Sequence, residues 1–72
     1  MYNPLLDTFL AVADCGSFTK AADKLFISPT AVMKKMNVLE EHLNLKLIER
    51  TPAGVVLTPA GKVIYRDAKF IM

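Results

Sequence analysis

Thr30, Lys34, Asn37 and Glu41 recur at three- and four-residue intervals in a segment that reads as helix. A step of about 100° per residue puts all four on one face. A hydroxyl, an ammonium and a carboxamide in a row can hydrogen-bond to the edges of nucleic-acid bases, and the hydroxyl and ammonium also suit a phosphate. Met33 flanks that row and offers the apolar contact a thymine methyl accepts. Val32, Met36, Leu39 and Leu43 fall opposite and predict a core-facing stripe. Lys20, Lys24, Lys34, Lys35 and Lys46 gather in and around this segment, whereas Glu40 and Glu41 stand at its far end, where acidic groups oppose the helix dipole. The basic end is the one suited to approach phosphates.

Other chemistry lacks its groups. His42 lies beside Glu40 and Glu41, but the chain has no second histidine, no H-E-x-x-H and no nucleophile with a partner base. It reads as a surface histidine. Cys15 is the single cysteine, which excludes an internal disulfide and predicts a small core residue. No metal site, cofactor or enzymatic activity is expected. The apolar run at the N-terminus is broken by Asp7 and Asp14 and has no basic segment before it, so neither a signal peptide nor a membrane span is expected. A cytoplasmic protein follows.

The elements that must position the row are punctuated by cap-plus-proline pairs. Asn3-Pro4 starts a first helix running to about Cys15, with Gly16 as its left-handed stop. Leu6, Phe9, Leu10 and Ala13 make its core stripe; Leu5, Thr8 and Val12 form a second, weaker stripe suited to a partner helix. Ser17 caps a second helix whose Ala21, Ala22 and Leu25 face inward. Ser28-Pro29 starts the third, with Ile27 and Val32 placed as a hydrophobic staple and Asn44 as the left-handed stop after Leu43. Two helices joined by so short a turn form a helix-turn-helix, the arrangement that lays its second helix in the DNA major groove. From Leu45 to Thr58 the period becomes strand-like: Leu45, Leu47, Val55 and Leu57 alternate about Thr51-Pro52-Ala53-Gly54, a two-stranded hairpin. Thr58-Pro59 starts a fourth helix with a half-apolar stripe of Val63, Ile64, Asp67, Ala68 and Ile71. That pattern runs to Met72 without a C-cap signal, so the sequence reads as a fragment of a longer protein. At 72 residues, 53% of them apolar, with a net charge of +2, it is one small domain rather than a disordered tail.

Leu6-x-x-Phe9-x-x-Val12-Ala13, Ser17-Phe18-Thr19-Lys20-Ala21-Ala22-x-x-Leu25, Leu39-Glu40-x-x-Leu43, Leu47-Ile48-Glu49-Arg50 and Leu57-Thr58-Pro59-Ala60-Gly61 together resemble the N-terminal domain of LysR-type transcriptional regulators. The likeness covers essentially the whole chain, in order. It implies a mainly α fold: a winged helix-turn-helix over residues 1–58, with a three-helix core and a two-stranded wing, and the start of a linker helix over 59–72. It also implies a homodimer or higher oligomer on a partly palindromic double-stranded DNA site. Small-molecule effectors would act only through a C-terminal domain absent from this sequence. Carried over by position, base-edge contacts fall on Pro29, Thr30, Met33 and Lys34, to which the residue reading adds Asn37. Phosphate contacts fall on Ser17, Thr19, Lys20, Lys35, Arg50 and Thr51. Arg50 could equally pair with Glu40, and the two roles are compatible. Dimerisation is expected through Leu5, Val12, Val63, Ile64, Ala68 and Ile71.

The chain departs from the family pattern where a glutamine often precedes a proline or serine (here Pro29 and Thr30), at Met33 where serine is usual, and at Ile48 where phenylalanine is. Ala53 and Val56 occupy wing positions that are often basic. These departures bear on which operator is read, not on the fold. The rival reading is a helical protein-interaction module whose face of Thr30, Met33, Lys34 and Asn37 meets a protein.

Overall fold

Each described helix start is capped by a hydroxyl that accepts from the third N–H of its helix wherever the sequence supplies Ser or Thr. Ser17 Oγ accepts from Lys20 N at 3.3 Å, Ser28 Oγ from Ala31 N at 3.1 Å, and Thr58 Oγ1 from Gly61 N at 3.0 Å. These caps open α2 (Phe18–Leu25), α3 (Pro29–Leu43) and α4 (Pro59–Ile71); α1 spans Pro4–Cys15. The computed structural model describes residues 4–71, and the side chains of residues 5–69. Asn3, the expected first cap, lies outside them.

α1, α2 and α3 stop where the chain turns left-handed. Gly16 has φ 67°, and its N–H reaches Val12 O at 2.8 Å. Asn44 has φ 54°, and the N–H groups of Asn44 and Leu45 close back on Glu41 O and Glu40 O. Both stops were expected. α2 ends on the same paired motif, with Phe26 N bonding to Asp23 O and Ile27 N to Ala22 O, but its left-handed residue is Phe26, at φ 59°. Nothing in a phenylalanine announces that.

β1 (Ile48–Thr51) pairs antiparallel with β2 (Gly54–Leu57) in the register Ile48↔Leu57, Arg50↔Val55 and Thr51↔Gly54, leaving Pro52-Ala53 as a two-residue tip. The expected alternation therefore begins later than the sequence suggests. Leu45 is exposed, and Leu47 is fully buried but precedes the strand.

The core joins Phe9 and Val12 of α1, Ala21 and Ala22 of α2, Val32, Met36 and Leu39 of α3, and Leu47 and Ile48 at the base of the hairpin. Two alanines at the α1–α2–α3 crossing let the backbones approach closely. The buried arc of α1 differs from expectation: Phe9, Val12, Thr8 and Ala11 are buried, while Leu6, Leu10 and Ala13 are half-buried. The reason is that α1 is packed from several sides, by α2, α3, β2 and α4. Leu43 is also corrected. At 38% exposure it lies where the last turn of α3 overhangs the core.

Three backbone approaches lock the hairpin and α4 onto this core. Val55 N donates to Gly16 O at 3.0 Å, and a Cβ on Gly54 would stand 2.6 Å from that same carbonyl oxygen. Thr58 N donates to Leu47 O at 3.0 Å, and the Thr58 hydroxyl donates to Lys46 O. A Cβ on Gly61 would stand only 2.0 Å from Leu47 O, so the first turn of α4 presses on backbone that no side chain could spare. Further along α4, Tyr65 meets Phe9 edge-on, with ring centroids 6.5 Å apart. Its hydroxyl donates to Asp14, which also accepts from Lys69 Nζ at 3.4 Å.

Candidate nucleic-acid interface

The two faces of α3 separate as the 3.6-residue period requires. Val32, Met36 and Leu39 are buried, while Pro29, Thr30, Lys34, Lys35 and Asn37 are exposed. Met33 is half-buried on the flank between them. Beside this face stands the N-terminus of α2, where Thr19 and Lys20 are exposed and Ser17 is half-buried. Ser17 Oγ already accepts from Lys20 N, which leaves its hydroxyl hydrogen to donate elsewhere. The N–H groups of Phe18 and Thr19, the first two of α2, have no partners within the helix, so this end adds donors and the positive end of a dipole. On the wing, Arg50 and Thr51 are exposed, and Thr51 Oγ1 donates across the tip to Gly54 O at 3.1 Å.

Between α3 and the wing lies an open groove of about 350 Å³, lined in part by Phe18, Met33, Asn37, Glu40, Lys46 and Arg50. Glu40 does not pair with Arg50, as one of the two expected roles required. Its Oε2 accepts instead from Leu47 N at 2.7 Å and Ile48 N at 3.3 Å. Leu47 immediately precedes β1 and Ile48 is its first residue, so the carboxylate straps the base of the wing to α3 (charge-assisted bonds of this kind are about twice as strong as neutral ones). The clue in the sequence was an acidic residue near a helix C-terminus that the dipole disfavours, a few residues before a strand. Arg50 turns to α2, with its guanidinium carbon 4.9 Å from the centroid of the Phe18 ring.

Residues expected at a dimer surface divide. Val63 is 47% exposed. Leu5 and Ile64 are half-buried and pack against the core. Val12 and Ala68, at 0% and 4% exposure, are core residues and offer nothing to a partner, because α1 and α4 face one another. The Ile71 side chain lies outside those described. Cys15 is half-buried against the core, and His42 is exposed. The Tyr65 hydroxyl bond, helped by Lys69 and partly opposed by desolvation, holds the Asp14 carboxyl below its ordinary range.

α2 and α3 in a helix-turn-helix, braced by α1 and followed by a strapped hairpin, define a winged helix-turn-helix domain. Residues 4–62 match the family described as bacterial regulatory helix-turn-helix protein, lysR family, and the chain belongs to that family. It is 41% identical over 69 residues to the HTH-type transcriptional regulator CysL of Bacillus subtilis, covering 96% of this chain and 23% of that protein. It is 40% identical over 67 residues to the nitrogen assimilation regulatory protein nac of Escherichia coli, covering 93% of this chain and 22% of that protein. The chain thus spans under a quarter of the length of these curated relatives. Among solved structures, the CbnR DBD–DNA complex superposes with a TM-score of 0.90 at 37% identity, over 99% of this chain and 82% of that one. The BenM DBD on catB site 1 DNA gives 0.91 at 39% identity, over 99% and 79%. Both relatives are named as regulators. No described helix is long and apolar enough to cross a membrane.

Proposed function

We propose that this domain binds double-stranded DNA in a sequence-specific manner, as the DNA-reading module of a LysR-type transcriptional regulator, with α3 in the major groove. The observation that carries the reading is the exposed row of Thr30, Lys34 and Asn37 on a helix whose opposite face buries Val32, Met36 and Leu39, in a chain that superposes on domains solved with DNA. Pro29, Thr30, Met33, Lys34 and Asn37 meet base edges. Ser17, Thr19, Lys20, Lys35, Arg50 and Thr51 hold phosphates and so set register and affinity. Residues 1–58 form the reading domain, and residues 59–72 begin a linker helix that pairs with a second copy through Val63 and Ile64. The operator is then partly palindromic, and the work is binding in the cytoplasm rather than catalysis. No observation favours a protein partner for the same face.

Selection of bound sites from a random DNA pool, followed by affinity measurements at two salt concentrations, tests this. Binding should weaken steeply with salt. On the selected site, Lys34→Ala should cost about 1–3 kcal/mol and relax preference at one base pair. Lys35→Ala should weaken all sequences alike and reduce the salt slope by about 1. Binding indifferent to both sequence and salt would refute the reading.

A further inference from the structure

Arg50 is placed where little in the folded protein itself rewards a cation. No carboxylate within ion-pair distance faces it among the described residues: Glu40 is engaged by Leu47 N and Ile48 N, and the recorded ion pairs lie elsewhere. Its guanidinium sits over Phe18, the first residue of α2, at the helix end whose dipole is positive and disfavours another positive charge. What holds it there is the ring face, 4.9 Å away and within cation–π range, together with β1, whose base Glu40 ties to α3.

We infer that Phe18 is a positioning residue for DNA binding: its ring holds the Arg50 guanidinium between the wing and the start of α2, so that both elements present one prearranged cation to a backbone phosphate. This rests on the reading of Arg50 as a phosphate contact. An arginine free in solvent must give up several rotatable bonds when it closes on an anion, and an arginine already laid on a ring gives up fewer. Arg50 stays exposed while its guanidinium lies over the ring, so its paired donors remain available to a phosphate. Phe18 need not touch DNA for its loss to be felt there.

The test uses the chain as it stands, a short random-sequence DNA duplex, and affinities at several salt concentrations for Phe18→Leu, Phe18→Tyr, Arg50→Ala and the double variant Phe18→Leu/Arg50→Ala. Phe18→Leu should weaken binding about two- to fivefold, the size of an exposed cation–π contact, and flatten the salt dependence. Phe18→Tyr should retain both properties. In the Arg50→Ala background, Phe18→Leu should change nothing further. Losses that multiply independently, or a loss from Phe18→Leu with an unaltered salt slope, would overturn the inference and make Phe18 core filler only. If Phe18→Leu folds poorly, the ring-current displacement of the Arg50 δ-proton resonances in the native chain and in Phe18→Tyr gives an independent reading; its absence overturns the inference too. Arg50→Ala binding like the native chain would remove Arg50 from the phosphate contacts and overturn the inference, whereas a native chain that binds neither this duplex nor any selected site would remove the proposed function itself.

Discussion

Phe26 spends its conformational freedom for no contact that repays it. A left-handed backbone costs an L-residue about 1–2 kcal/mol, and at 94% exposure its ring recovers little of that by burial. Phe26→Asn should therefore raise stability by about 0.5–1 kcal/mol, read as a higher urea midpoint at unchanged slope. If stability rises while DNA affinity falls, the ring serves binding; if stability does not rise, the turn is held by contacts of Phe26 other than burial. The three left-handed stops also show what single residues disclose. Gly16 and Asn44 are types that accept φ above zero, so their positions were legible. Phe26 is forced by the tight turn, and its type carries no signal. Glu40 stood out against the helix dipole, but its partners were opaque for a related reason, since they are the backbone N–H groups of Leu47 and Ile48, which every sequence possesses. Thr30, Lys34 and Asn37 were legible because helical period alone separates them from Val32, Met36 and Leu39.

Among the elements, α4 was the one whose exposed and buried faces were least predictable. Its half-apolar stripe suggested Val63, Ile64, Asp67, Ala68 and Ile71, but the buried side is set by Gly61, pressed on Leu47 O, and continues through Ile64, Tyr65 and Ala68. A glycine has no hydropathy to advertise such a contact. The C-terminal half of the helix is tied to α1 by Tyr65 and Lys69 meeting at Asp14, and this tie should respond to pH. Asp14 titrates below its ordinary value of 3.8 in the folded chain, so its contribution is complete above that value and is lost as pH falls through the folded one. Lys69 is raised above its ordinary 10.5, first by the Tyr65 hydroxyl and then by Asp14, so its share is complete below 10.5 and is lost at more alkaline pH. Tyr65→Phe should lower the melting temperature at neutral pH, and the gap from the native chain should narrow as the solution is acidified below 3.8. Melts recorded across that range check it, and a gap independent of pH would show that the hydroxyl acts without the carboxylate's charge.

At the scale of the molecule, the order of all six elements was readable because Ser, Thr, Pro and Gly punctuate nearly every boundary. What covers each apolar face was not. Periodicity defines a stripe, but only the tertiary arrangement decides whether Val12 and Ala68 meet the same chain or another; here they meet their own. With a radius of gyration of 11.1 Å there is little interior, and the hairpin is secured to it at its base by Glu40, Leu47 and Thr58 and midway by the bond from Val55 N to Gly16 O. That midway bond partitions the hairpin into a part that can change length and a part that cannot. A short Gly-Ser insertion between Pro52 and Ala53 lengthens an exposed tip, at a chain-entropy cost of about 0.6 kcal/mol per doubling of the loop, so thermal melting should barely move. The same insertion between Gly54 and Val55 separates two residues that both press on Gly16 O and splits the Thr51↔Gly54 pair from Arg50↔Val55, so melting should fall further. The tip is thus a permissive point at which the hairpin could be extended, by evolution or by design, and given a different reach without rebuilding the rest.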